Sequence, residues 1–109
     1  MRIDQLSLFA DIPQQLPMEL CQTLLAKPGL RIERIVSKGH ASLPEHWYDQ
    51  TEDEWVLLLQ GQARLEIAGQ DLIELQPGDY LFLPAHCKHR VDYTAEHMET
   101  LWLAIFFQH

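Results

Sequence analysis

From Leu30 to Phe107 the chain is a succession of short apolar segments separated by turn residues, and this punctuation leaves no room for long helices. Breaks fall at Lys38-Gly39, Gly61-Gln62, Ala68-Gly69-Gln70 and Pro77-Gly78-Asp79. Glycine supplies backbone conformations closed to other residues, and proline removes a backbone donor, so each break ends an element. The segments between them read as strands over residues 30–37, 54–60, 63–67, 71–75, 80–83, 89–93 and 100–107. The stretch 54–60, EWVLLLQ, is apolar on both faces, whereas 63–67, ARLEI, alternates apolar and charged as a half-exposed strand does. Residues 40–50 are ambiguous, with Trp47 and Tyr48 favouring strand. Many short strands with Gly and Pro turns make an all-β sandwich or barrel. The expected form is a small antiparallel barrel, with room inside for side chains or one small ligand.

Ahead of this region Leu16, Leu20, Leu24 and Leu25 recur at helical spacing. They predict a short amphipathic helix over 15–27, stopped by Pro28-Gly29. The expected organisation is an N-terminal arm and helix, residues 1–29, packed on a barrel formed by 30–109. A length of 109 residues suits one domain. The net charge of −8 and the lack of a basic stripe argue against nucleic acid. No run approaches the ~18 apolar residues of a membrane span. Asp4 and Asp11 interrupt the N-terminal segment, which has no signal-peptide core, so a cytoplasmic location is expected. Cys21 and Cys87 are too few for a disulfide framework and are expected as free thiols.

The residues that can carry chemistry cluster in two places. Glu54 opens an apolar strand, where a carboxylate is costly unless paired. The alternatives are a hydrated rim position, a pair with Lys88 or Arg90, or a role as metal ligand or base. His89 follows a turn and opens another strand, with His86 three residues before it. An imidazole and a carboxylate on neighbouring strands suit Fe, Mn, Ni or Zn, but a site needs a third donor. Gln50, sharing strand parity with His46 and Tyr48, and Asp49 are the first alternatives, with His46, if the strand begins early, and His86, reaching across the mouth, as further ones. His40, His97 and His109 have no comparable pattern around them, and no Gly-rich phosphate loop, CxxC, HExxH or GxSxG is present.

These residues resemble the cupin family. Its first motif pairs two histidines, HXH, with a glutamate three or four residues on and a glycine after six more. Glu54, WVLLLQ and Gly61 match the second half of it. Its second motif runs from a glycine through a proline and a further glycine to a histidine and an asparagine. Gly78, Pro84 and His89 match that run, while His86 stands at the inner glycine and Tyr93 at the asparagine. The paired histidines are replaced by Tyr48 and Gln50, or by Trp47 and Asp49 with the longer spacing.

The resemblance implies a cupin jelly-roll barrel, also called a double-stranded β-helix. It implies a divalent transition metal held by Glu54, His89 and either Gln50 or Asp49. In that reading Tyr48 contacts substrate or donates a proton, and His86 is a further ligand or an acid/base group at the mouth. The alternative is a metal-free binding or sensor barrel for a small molecule, its apolar pocket lined by Trp47, Trp55, Tyr80 and Phe82. The family analogy, with the need to cover an open sheet edge, implies a homodimer, with strand 30–37 as the pairing edge.

Overall fold

The computed structural model describes residues 1–108, and His109 lies outside them. Among the described residues eight strands form in chain order: β1 (Leu20–Lys27), β2 (Leu30–Ser37), β3 (Asp53–Gln60), β4 (Ala63–Ile67), β5 (Ile73–Leu75), β6 (Tyr80–Leu83), β7 (His89–Thr94) and β8 (Thr100–Phe107). They build a five-stranded sheet, β1-β2-β8-β3-β6, and a three-stranded sheet, β5-β4-β7. Each strand pairing within the two sheets is antiparallel. This is the expected all-β architecture. Among the described residues no helix is long and apolar enough to cross a membrane.

The alternation read in the sequence decides which side chains face inward. On β3, Val56 and Leu58 are buried and Leu57 and Leu59 are half-buried; on β4, Ala63, Leu65 and Ile67 are buried. With Leu75, Leu83, Trp102, Ala104 and Phe106 they form one core between the sheets. Removing a leucine-sized side chain from water contributes ~1.5–3 kcal/mol. The outer face of the small sheet is charged instead: Arg64 bonds Asp92 at 2.6 Å and Arg90 bonds Glu66 at 2.7 Å.

The predicted helix over 15–27 is a strand, β1, in its second half. Pro28-Gly29 does not end a helix; it is a two-residue hairpin turn, with Gly29 at φ 75° in the second turn position. The hairpin lets β1 satisfy its backbone groups along β2, an outcome that outweighs helix propensity. A register shift between Thr23 and Leu25 breaks the face, so Leu24 and Leu25 are both exposed. This also moves the open edge. Strand β2, expected at the edge, lies between β1 and β8, and the free edges of that sheet are β1 and β6.

Residues 40–52 form no strand. They lie along the outer edge of β7, held there by a reciprocal backbone pair between Tyr48 and His89 (2.7 and 3.2 Å) and by Ser42 N–H to Val91 O (2.8 Å), with His86 N–H, in the loop before β7, bonding Gln50 O (2.8 Å). The first residues are tied down by Arg34, which is buried and donates to the carbonyls of Leu8 (3.0 Å) and Ala10 (2.6 Å) and to Gln22.

Candidate functional site

Glu54 shares a face with Val56 and Leu58, so strand geometry turns its carboxyl into the space between the sheets. His89 opens β7 on the other sheet and pairs with Ile67 of β4. The two meet: Glu54 Oε1 lies 3.7 Å from His89 Nε2, with side chains only 9% and 7% exposed. Gln50 donates its amide N–H to Glu54 Oε1 at 3.1 Å. His89 Nδ1 sits 2.9 Å from the carbonyl of Cys87, which can only accept, so Nδ1 carries a proton and Nε2 is the atom left to face Glu54. Tyr48 bridges to the β7 backbone and stacks its ring on the imidazole, centroids 5.4 Å apart. Burial pushes the Glu54 carboxyl above the usual range; the neighbouring His89 and the Gln50 hydrogen bond pull it part of the way back.

The pair faces a cavity of about 240 Å³. Its apolar wall comes from both sheets, including Val56, Leu65, Val91, Trp102 and Phe106. Its polar wall holds Tyr48, Gln50, Glu54 and His89, and also Glu19, Cys21, Arg31 and Glu33. Sequence reasoning missed these last four. Glu19 and Cys21 fell in the stretch expected to be helical; for Arg31 and Glu33 the signal was the alternation in RIERIV, which puts Arg31, Glu33 and Ile35 on one face of β2. That face could be known as inward only once β2 was known to lie inside a sheet.

Glu54, His89, Gln50 and Tyr48 are therefore brought together as expected. His86 is not among the residues lining the cavity. Its side chain is 66% exposed, and Nδ1 meets Asp49 Oδ1 at 2.9 Å. The suggested pairs of Glu54 with Lys88 or Arg90 do not form; Arg90 is taken by Glu66 and Asp92. The aromatic pocket is also corrected. Trp55 pairs with Phe82 across the ladder, and both point to the face opposite Glu54, where Trp55 also meets Tyr80 at 5.4 Å. Trp47, Tyr80 and Phe82 are exposed, and none of the four lines the cavity.

A transition metal in a protein site takes at least three protein donors, drawn from imidazole, thiolate or carboxylate. Among the described residues no three His, Cys, Asp or Glu side chains converge in this way. Of the two leading third-donor candidates, Gln50 offers only an uncharged amide oxygen while its NH₂ bonds Glu54, and Asp49 pairs with the exposed His86 and does not line the cavity. The donor set does not fit a resident metal.

Residues 33–106 match the protein-family model of the cupin domain. Among solved structures, a Ralstonia eutropha protein provisionally named a mannose-6-phosphate isomerase is 44% identical, covering 98% of this chain and 100% of its own at a TM-score of 0.95. A cupin superfamily protein of Desulfitobacterium hafniense is 23% identical over 90% of this chain and 84% of its own (TM-score 0.74). The dimethylsulfoniopropionate lyase DddQ of Ruegeria pomeroyi is 18% identical over 82% of this chain and 46% of its own (TM-score 0.68). These last two likenesses concern the fold alone. No curated protein sequence matches the chain.

Proposed function

The chain belongs to the cupin family, and on that premise we propose that it binds a small polar molecule between its sheets and moves a proton on it through Glu54 and His89, without a resident metal. The observation that carries this reading is the buried Glu54–His89 pair on the cavity wall, 3.7 Å apart. Burial shifts Glu54 upward, the direction a general base needs to work nearer neutral pH. His89 is fixed in orientation by the Cys87 carbonyl and presents Nε2 to receive or return the proton. Gln50 orients the carboxylate, and Tyr48 packs on the imidazole and holds its plane.

The Ralstonia relative's provisional name includes an isomerase. Sugar isomerisation moves a proton between adjacent carbons, the class of step this pair supports. The apolar wall excludes water around the pair, which strengthens its electrostatic effect on a bound ligand. In this reading two copies associate through the outer face of the five-stranded sheet. There Trp55, Leu57, Tyr80, Phe82, Leu103 and Ile105 lie in paired rows, with Asp53 at the head of the β3 row.

Untagged protein incubated with small hydroxycarbonyl compounds in deuterium oxide tests the reading by NMR. Deuterium should enter the carbon beside the carbonyl, and Glu54→Gln should slow this about 100-fold or more. Ligand binding without exchange would leave a non-catalytic barrel. Stoichiometric transition metal that disappears in the Glu54→Ala/His89→Ala variant would overturn the metal-free site.

A further inference from the structure

We infer that the cavity selects a small organic cation, an amine, and rejects phosphorylated and carboxylated molecules. The inference rests on the cavity being the binding site, and it adds the charge of the ligand. Three carboxylates reach the cavity from separate places: Glu19 just before β1, Glu33 on β2 and Glu54 on β3. The single guanidinium among the lining residues, Arg31, is shared by Glu33 and Glu52, and this trio together keeps one negative charge. Arg31 Nε bonds Glu33 at 2.7 Å, its Nη1 bonds both oxygens of Glu52 at 3.0 and 3.1 Å, and its carbon lies 4.2 Å over the Phe106 ring. None of the lysines, Lys27, Lys38 and Lys88, lines the cavity. Arg34 is engaged with Gln22 and the N-terminal arm. Arg64 and Arg90 pair with acids on the small sheet.

A phosphate placed here would find no free cation to neutralise it and would lie beside carboxylates between low-dielectric walls. Groups on different segments register the same negative potential. The Cys21 thiol is pushed up to about 11, first by burial and then by Glu19 and Glu33. The Tyr48 phenol is raised by burial and then by Glu19, Cys21 and Glu54. An ammonium group turns the carboxylate contributions to these shifts into attraction and meets the Trp102 indole on the cavity wall. Trp102 lines the cavity and is 4% exposed, and its buried Nε1–H, without an acceptor among the described residues, is closed to a ligand atom. The volume, about 240 Å³, lies below the ~300 Å³ at which drug-sized sites begin, so the molecule is small.

A charge series of equal size tests this: 3-amino-1-propanol, 1,3-propanediol and 3-hydroxypropanoate, with mannose 6-phosphate as a fourth probe. Each is titrated into the full chain and followed by NMR at the cavity residues. The amine should bind at least ten-fold more tightly than the diol, and the two anions should not perturb the cavity. Glu19→Gln, at a half-exposed position that keeps its hydrogen-bonding shape, should weaken the amine about ten-fold. Glu33→Gln with Glu52→Gln frees Arg31 and should bring in 3-hydroxypropanoate. Binding of an anion to wild type as tight as the amine, or no preference between amine and diol, overturns the charge inference while leaving the cavity as the site. No perturbation of the cavity by any probe overturns both.

Discussion

Gly61 joins β3, which carries Glu54, to β4, which carries the sheet of His89, and its replacement by alanine should be among the costliest single-methyl additions in the chain. Its φ is 93°, in the left-handed half of backbone space. A Cβ built there would lie 2.3 Å from Thr100 Oγ1, 2.7 Å from Thr100 Cα and 2.8 Å from its Cβ. Two costs add. An L-residue in a left-handed conformation costs ~1–2 kcal/mol, and forcing extra volume into a packed place costs ~1–3 kcal/mol. Gly69 supplies the control: its φ is 84°, yet nothing lies within 4 Å of a Cβ there. Gly69→Ala incurs only the first cost, and both variants share the same gain, ~0.4–1 kcal/mol, from a stiffer unfolded chain. Gly61→Ala should therefore be less stable than Gly69→Ala by ~1–3 kcal/mol. For a domain of this size that is a gap of roughly 4–12 °C in Tm. Urea unfolding followed by tryptophan fluorescence measures the difference directly. Adding Thr100→Ala should recover only part of it, because the new methyl still meets the backbone of residue 100. Equal stabilities for the two alanine variants would refute the claim that Thr100 crowds this corner.

Glu54→Gln should change how stability depends on pH. The folded carboxyl is shifted upward, chiefly by burial, so its favourable contribution is complete below the unfolded value and is lost as pH rises through the folded one. The glutamine variant should match wild type at low pH and gain on it as pH rises, by ~1.4 kcal/mol per unit of upward shift. Urea titrations at several pH values check this, and a constant difference would contradict it. Cys21 is exposed yet its thiol is pushed up to about 11 from 9.0, so in a Cys87→Ala background a maleimide at pH 7 should label it about 10-fold more slowly than an ordinary thiol, the loss of thiolate being partly offset by its greater nucleophilicity. His86 occupies φ 64°, and His86→Gly should change stability by less than ~1 kcal/mol, since relief of backbone strain offsets the flexibility of glycine. A loss well above that, in thermal unfolding, would mean that the His86–Asp49 contact stabilises more than a surface pair does.

Turn chemistry and alternation made most of the barrel legible. Strands 63–67, 80–83 and 100–107 have the boundaries expected from them, and β3 begins one residue early, at Asp53. Residues 15–27 were misread because leucines at 16, 20 and 24, four apart, suit a helix, whereas the hairpin at Pro28-Gly29 offers β1 a ladder that local sequence does not reveal. Glu54 and His89 were visible as donors at strand starts, and the structure brings them together. Which face each strand buries was not visible where both faces are apolar. Trp55 and Leu57 are as apolar as Val56 and Leu58, and only the neighbouring strands decide between them. His86 illustrates the converse: its left-handed backbone accounts for the glycine that cupins carry at that position, although its side chain lies outside the cavity.

The irregular run along β7 has a bearing on how readily such a site can be rewritten. Residues 40–52 contribute Tyr48 and Gln50 to the cavity, yet they are attached by a few isolated backbone bonds and belong to no ladder. Side chains there can be exchanged without disturbing strand register. The barrel and the half of the site fixed on β3 and β7 form a constant frame, and this segment is a replaceable insert in it. Placing histidine at both 48 and 50 would join two imidazoles to Glu54 and His89. Zinc binding to that double variant, measured by calorimetry, is the expected sign that the insert alone sets the chemistry of the frame.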